Sequence, residues 1–264
     1  MKKWQMATAA AVLLAGLGSV AGVAFATTPH AAGAGTGPSI IVQANPHWVP
    51  PPSGYTPPAQ RAAVPSLPAA SGTILLQTDF QSGDNSAWHS PLLPNSDATP
   101  LWQARNGVLQ QVGDTTLNNV NEEAYYLTGQ PTWSNLIVDA SVLATSGEGA
   151  GLVWNAQNAS FYRVQLFPAL PNAAPKAVLE LVQAGQVTVL ASAPAAAYAG
   201  YDPDIWQTLR VQSTAGRQQV WINGQPIFDV ANSVLSAGQV GLFAWADSGT
   251  QFGPVRVQRA GAGQ

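Results

Sequence analysis

From Ile74 onward, apolar and polar residues alternate almost one by one, which is the period of a half-buried β-strand and not of a helix. The clearest runs are Trp206-Gln207-Thr208-Leu209-Arg210-Val211, Gln218-Gln219-Val220-Trp221-Ile222 and Pro226-Ile227-Phe228-Asp229-Val230. The last two are joined through Asn223-Gly224. This pair readily holds the two positive φ angles of a two-residue hairpin turn, so the spacing predicts a hairpin there. A second Asn-Gly pair, Asn106-Gly107, predicts another between Leu101–Arg105 and Val108–Val112. Ile74–Phe80, Glu123–Leu127, Leu136–Leu143, Gly151–Asn155, Phe161–Phe167, Ala177–Val182, Val187–Ala191, Gly238–Ala246 and Val255–Val257 read as further strands. Ile137, Val138 and Val142 strengthen that reading because branching at Cβ suits a pleated surface.

Many short strands, frequent turns and no segment with capped helical spacing predict an all-β, antiparallel two-sheet sandwich. No internal repeat supports a propeller or a solenoid. If each sheet buries one face, alternation assigns Leu152, Trp154, Tyr162, Val164, Leu166, Leu179, Leu181, Leu209, Val211, Val220, Ile222, Phe228 and Leu242 to the core. A slip of one residue would invert the assignment along a whole strand.

The pattern changes before residue 73. Lys2 and Lys3 precede the uncharged run Ala7–Ala26, which closes on Ala24-Phe25-Ala26, so residues 1–26 read as a secretory signal peptide. Left uncleaved, a run of about 20 residues also suffices to span a bilayer, and this is the one route to membrane contact. On either reading the remainder is secreted or held at the cell surface. Residues 27–72, rich in Pro, Ala and Gly and including Pro50-Pro51-Pro52 and Pro57-Pro58, are expected to be a disordered, extended linker. Residues 73–258 then form the sandwich and residues 259–264 a flexible tail.

Charge is scarce: 9% of residues are charged, with a formal net charge of -3. All thirteen acids fall between Asp79 and Asp247, so the folded part is mildly acidic. A nucleic-acid surface needs a cationic stripe, and the sequence has none. The absence of cysteine excludes disulfides, thiolate metal sites and a Cys nucleophile.

Gly149-Ala150-Gly151-Leu152-Val153-Trp154, Phe161-Tyr162-Arg163-Val164, Leu179-Glu180-Leu181-Val182, Trp206–Val211, Trp221-Ile222-Asn223-Gly224 and Gly238-Gln239-Val240-Gly241-Leu242 follow one another in a familiar order. In that order they resemble concanavalin A-like lectin/glucanase domains, most of all the laminin-G-like and 3-keto-disaccharide hydrolase-like branch, from about Gly72 to Gln258. The resemblance implies a jelly-roll sandwich and a carbohydrate partner. Where that branch often carries Phe-Asp-Asn-Val, this chain has Phe252-Gly253-Pro254-Val255. Asp79 alone would serve a calcium ion poorly, so neither a metal nor a cofactor is expected.

Glycoside hydrolysis uses two carboxyl groups about 5 to 9.5 Å apart. The chain has no Glu-x-Asp-x-x-Glu run of the kind the glucanase relatives carry, and adjacent Glu122 and Glu123 would face opposite ways on a strand. His89 is the one histidine of the folded region, which leaves little for a zinc site or a triad. Sugar binding asks for an exposed aromatic beside amide, guanidinium and carboxylate groups. The candidate ligand-binding set is Glu123, Tyr125, Asn155, Arg163, Gln165, Trp245 and Asp247, with Trp245 as stacking platform and no residue assigned to catalysis. Trp221 and Arg210 are expected to share another outer face as a packing pair. The expected function is noncatalytic binding of an extracellular glycan or cell-envelope polysaccharide. The alternatives are a glycoside-cleaving enzyme using Glu123 with Asp247, and a structural envelope protein.

Overall fold

The computed structural model describes residues 64–91, 100–112, 116–117, 120–121, 123–144, 149–167, 177–193, 205–245 and 249–261. The leader, the linker up to residue 63, the last three residues of the tail, and Glu122, Glu148 and Asp247 lie outside them. In chain order the strands are β1 (Thr73–Thr78), β2 (Trp88–His89), β3 (Trp102–Arg105), β4 (Val108–Gln111), β5 (Thr116–Leu117), β6 (Val120–Asn121), β7 (Glu123–Thr128), β8 (Leu136–Leu143) and β9 (Gly149–Gln157). They continue as β10 (Ser160–Leu166), β11 (Ala177–Gln183), β12 (Gln186–Ala193), β13 (Gln207–Thr214), β14 (Arg217–Ile222), β15 (Gln225–Ala231), β16 (Gln239–Trp245) and β17 (Gln251–Arg259). Among the described residues there is no helix.

Two antiparallel sheets result. The first runs β15-β14-β13-β8-β17-β4-β3, with β1 also paired to β17, and the second runs β12-β11-β10-β9-β16-β7-β2. Both Asn-Gly hairpins form with positive φ at each central residue: 52° and 78° at Asn106-Gly107, 51° and 78° at Asn223-Gly224. Short β2 and the ribbon β5-β6 were not expected, since two-residue strands are too short for alternation to register. Pro254, which has no N–H to give a ladder, falls where the register of β17 against β8 shifts between Phe252 and Val255. The departure seen in sequence at Gly253-Pro254 is therefore a bulge.

Every residue that alternation assigned to the core is buried in the main cluster between the sheets. Polar locks join the two layers. The indole of Trp154 on β9 donates to the Gln218 side-chain oxygen on β14 at 2.8 Å, and the Gln218 amide donates to the Asn232 carbonyl at 2.9 Å. At one end, Trp88, Tyr126 and Trp102 stack with centroids 5.7 and 5.2 Å apart, and Trp102 reaches Phe252 of β17 at 6.0 Å. Such contacts add to plain area burial, and they account for three tryptophans as core: Trp88, Trp102 and Trp154. The antiparallel two-sheet architecture is a jelly-roll sandwich.

The outer faces are covered unevenly. On β13 and β14 buried and part-exposed positions alternate as the sequence suggested, whereas β7, β8 and β11 are buried on both faces up to their last residues. Part of the cover on the first sheet is the end of the linker itself. Ser141 donates to the Pro65 carbonyl at 2.9 Å, Arg256 donates to that of Pro68, and Arg210 to that of Ala69 at 3.4 Å. The Gln258 side-chain oxygen accepts from Ser71 N at 2.8 Å and Gly72 N at 3.0 Å. Residues 64–72, counted with the linker on composition, thus lie as a strap on the sandwich. At the other terminus β17 runs to Arg259, and Ala260 N donates to the Asn135 carbonyl at 2.8 Å, so ordered chain reaches into the segment expected as tail.

Candidate functional site

The side chains of greatest chemical interest stand on the outer face of the second sheet. The ladder fixes their neighbours: Arg163 pairs across β10-β11 with Glu180, Gln165 pairs across β10-β9 with Gly151, Gly151 with Phe243, Phe243 with Tyr125, and Trp245 with both Gly149 and Glu123. Each lies opposite a core residue on its own strand, because side chains alternate across the pleat. Tyr125, Leu127, Val153, Phe161, Val182, Phe243 and Trp245 make a second apolar cluster, separate from the main core.

Arg163 is the centre of the polar part. Its Nη1 lies 2.6 Å from Glu123 Oε1 and donates to the Tyr125 hydroxyl at 2.9 Å, and its Nε lies 2.6 Å from Glu180 Oε2. Tyr125 in turn donates its proton to Glu123 Oε2. The guanidinium carbon sits 4.9 Å from the centre of the Phe243 ring, a cation–π contact. The arrangement makes electrostatic sense. Burial works against the charge on Arg163, yet the Glu123 carboxylate, Tyr125 and Glu180 outweigh it and hold the guanidinium well above its usual range. Burial, followed by the neighbouring Glu123 charge, pushes the Tyr125 hydroxyl well above the usual tyrosine range, so it stays a donor. Removing one member of such a buried set leaves an uncompensated charge and costs about 3–5 kcal/mol.

Gln165 lies beside this network without joining it. It is 1% exposed, and neither its Oε1 nor its Nε2 has a hydrogen-bond partner. A buried polar group left unsatisfied costs about 1–3 kcal/mol. The amide lies over Gly149, where a Cβ would come within 2.2 Å of Nε2. At Gly151 a Cβ would meet the Val164 carbonyl oxygen at 1.8 Å, so only glycine allows β9 and β10 this approach. The two glycines put no side chain of β9 between Gln165 and Trp245, and the Gln165 amide fills the space over Gly149.

Of the sequence-predicted set, the structure therefore brings together Glu123, Tyr125, Arg163, Gln165 and Trp245, while Asp247 lies outside the described residues. Two placements correct the expectation. Asn155 does not join the patch: with φ of 51° it turns at a bulge, and its amide donates to Ser213 Oγ and the Leu235 carbonyl, both at 3.0 Å, so it ties β9 to the opposite sheet and a loop. Trp245 is 2% exposed and packs within the outer-face cluster, so it is not an open stacking platform, and its truncation to Ala would cost stability.

Glu180 and Phe243 were missed. The alternation Leu179-Glu180-Leu181 beside Tyr162-Arg163-Val164 would have put Glu180 on the face of Arg163 had consecutive strands been paired. Phe243 sits in an unbroken apolar run, where nothing in the sequence tells one face from the other. Arg210 and Trp221 are cross-strand partners on the outer face of the first sheet, beside a cavity of about 300 Å³ that Pro68 also lines. There Arg210 is held by Asp139, at 2.7 Å.

Among the described residues no group of three or more His, Cys, Asp or Glu could hold a metal ion. The fold is similar to LamAcat from Zobellia galactanivorans, with a TM-score of 0.50, 10% identity, and 71% of this chain and 98% of that one covered. The carbohydrate-binding module CBM66 from Bacillus subtilis gives a TM-score of 0.48 at 15% identity, covering 65% of this chain and 95% of the module. A glycosyl hydrolase family protein from Mycobacterium fortuitum gives 0.44 at 14% identity, covering 70% and 99%. No curated protein sequence matches the chain. The family model of the 3-keto-alpha-glucoside-1,2-lyase-like domain matches residues 76–261, which span the sandwich from β1 to just beyond β17, and the chain belongs to that family.

Proposed function

We propose that the chain is a noncatalytic glycan-binding β-sandwich, secreted or displayed at the cell surface on its proline-rich linker, and that the outer face of the second sheet holds the sugar. The observation that carries this reading is the convergence of Arg163, Glu123, Tyr125, Glu180 and Gln165 in one buried polar cluster on that face, to which Gly149 and Gly151 of β9 add no side chain. Sugars present hydroxyls in known directions and an apolar ring face, and this surface offers polar groups fixed by one another next to aromatic rings. Membership of a family described by a glucoside supports a saccharide partner.

Binding is preferred to hydrolysis on geometric grounds. Arg163 lies 2.6 Å from both Glu123 and Glu180, and Tyr125 donates to the second oxygen of Glu123, so both carboxyl groups are already tied into one network, whereas the pair of a glycosidase has to be open to a leaving-group oxygen and a water. The meeting of two carboxylates on one guanidinium does keep an enzyme as the second reading. It would be supported by turnover of a disaccharide that disappears in both Glu123→Gln and Glu180→Gln.

The test of the binding reading is a glycan array probed with the full chain and with Gly149→Ala. The added methyl group displaces the Gln165 amide, a flexible end that can move at little cost to the fold. Retention on at least one glycan, weakened in Gly149→Ala at an unchanged melting temperature, is the expected result. No retention on any glycan, or retention indifferent to Gly149→Ala, refutes it.

A further inference from the structure

The polar groups around Arg163 satisfy one another: Tyr125 donates to Glu123, Arg163 donates to Glu123, Tyr125 and Glu180, and both oxygens of Glu123 are engaged. Gln165 stands out beside them, because a buried side-chain amide with a free donor and a free acceptor is rare in a folded protein and calls for a partner that supplies the complement of each. That partner has to offer an acceptor and a donor side by side. Two neighbouring hydroxyls of a sugar ring do so, one accepting from Nε2 and the other donating to Oε1.

A carboxylate or sulfate offers acceptors alone and would leave Oε1 facing oxygen without a proton between them. The amide itself lies over Gly149, so what flanks it on that side is backbone and not a competing side chain.

We infer that Gln165 is the specificity-determining contact of a subsite for an uncharged sugar, which it reads through a vicinal diol, and that the site rejects uronic and sulfated sugars. This rests on the glycan-binding reading of the same face. The experiment is calorimetric titration of the full chain with neutral disaccharides (maltose, cellobiose and sucrose) and with digalacturonic acid and a sulfated disaccharide, repeated on Gln165→Met. Methionine matches glutamine in length and removes both polar atoms, so the melting temperature is expected to hold or rise. A structural amide would instead lower it.

The expected result is binding of at least one neutral disaccharide, at least tenfold weaker binding of the anionic ones, and at least tenfold loss of neutral affinity in Gln165→Met. Binding of anionic sugars as tight as neutral ones, or neutral binding untouched in Gln165→Met, overturns the diol assignment and leaves the glycan reading standing. A lower melting temperature in Gln165→Met overturns it as well, by assigning the amide to the fold. Failure of every sugar to bind refutes the glycan reading itself.

Discussion

Substituting Asp139 by Ala tests how the outer face of the first sheet holds together. Asp139 is fully buried, and its carboxylate accepts from three side chains: Arg210 through Nε at 2.7 Å and Nη2 at 3.3 Å, Arg256 Nη2 at 2.9 Å and Gln258 Nε2 at 2.9 Å. The arginines will not suffer equally. The Arg256 side chain is 9% exposed and has little water to turn to, whereas Arg210, at 24%, can reorient outward. Leaving a buried charge unpaired costs about 3–5 kcal/mol, and the loss at Arg210 and Gln258 adds less because water replaces part of it. The expected loss is about 4 kcal/mol, a large share of the roughly 5–15 kcal/mol that stabilises an ordinary domain. A second readout follows from geometry. Gln258 donates to Asp139 through Nε2 and so turns Oε1 toward the amides of Ser71 and Gly72. Asp139→Ala is therefore expected to speed amide exchange at Ser71 and Gly72 well beyond the global change, while Asp139→Asn, which keeps an acceptor oxygen, is expected to fall between. Urea denaturation gives the first quantity and native-state hydrogen exchange the second. A loss under about 1 kcal/mol with unchanged exchange at Ser71 and Gly72 would refute the idea that this carboxylate organises the face and its strap.

Further outcomes are equally specific. Tyr125 is held protonated in the folded state above its ordinary value of 10.0, so its contribution to stability is complete below about pH 10 and is lost as pH rises toward the folded value; Tyr126 and Tyr162, also raised by burial, act with the same sign. Melting temperature is thus expected to decline above about pH 10, and less steeply in Tyr125→Phe, with equal slopes counting against the assignment. Gly224→Ala places a side chain at a φ of 78° where nothing stands within 4 Å of the new Cβ, so a purely conformational cost of about 1 kcal/mol is expected in denaturant titration, and no cost would show that the hairpin relaxes freely. Trp245→Ala is expected to cost about 3–5 kcal/mol, the mark of a buried indole; a melting temperature unchanged from the parent would restore it as an exposed platform.

The sequence by itself determined what depends on local chemistry and period. Alternation between Trp206 and Val230 marked strands, Asn106-Gly107 and Asn223-Gly224 marked turns whose φ angles are those such turns demand, and the same alternation sorted Leu152 through Leu242 into the core correctly. It also placed Arg163 and Gln165 on the face opposite the core residues Tyr162 and Val164, since a period of two leaves no other choice.

Only the tertiary structure decided which of those faces coincide and what lies against them. Arg163 reaches Glu123, forty residues away, across β9 and β16, which stand between β10 and β7 in an order no local pattern encodes. Asn155 left the patch because a bulge reversed its side, and Trp245 proved buried because the second sheet has apolar surroundings on both faces, which a strand's own alternation cannot reveal. The strap of residues 64–72 is the plainest case. Its proline-rich composition describes a chain with no core of its own, yet five backbone groups find side-chain partners on β8, β13 and β17, three carbonyls accepting and two amides donating, and hydrogen bonds of that kind depend on where distant strands have been brought, not on the segment that makes them.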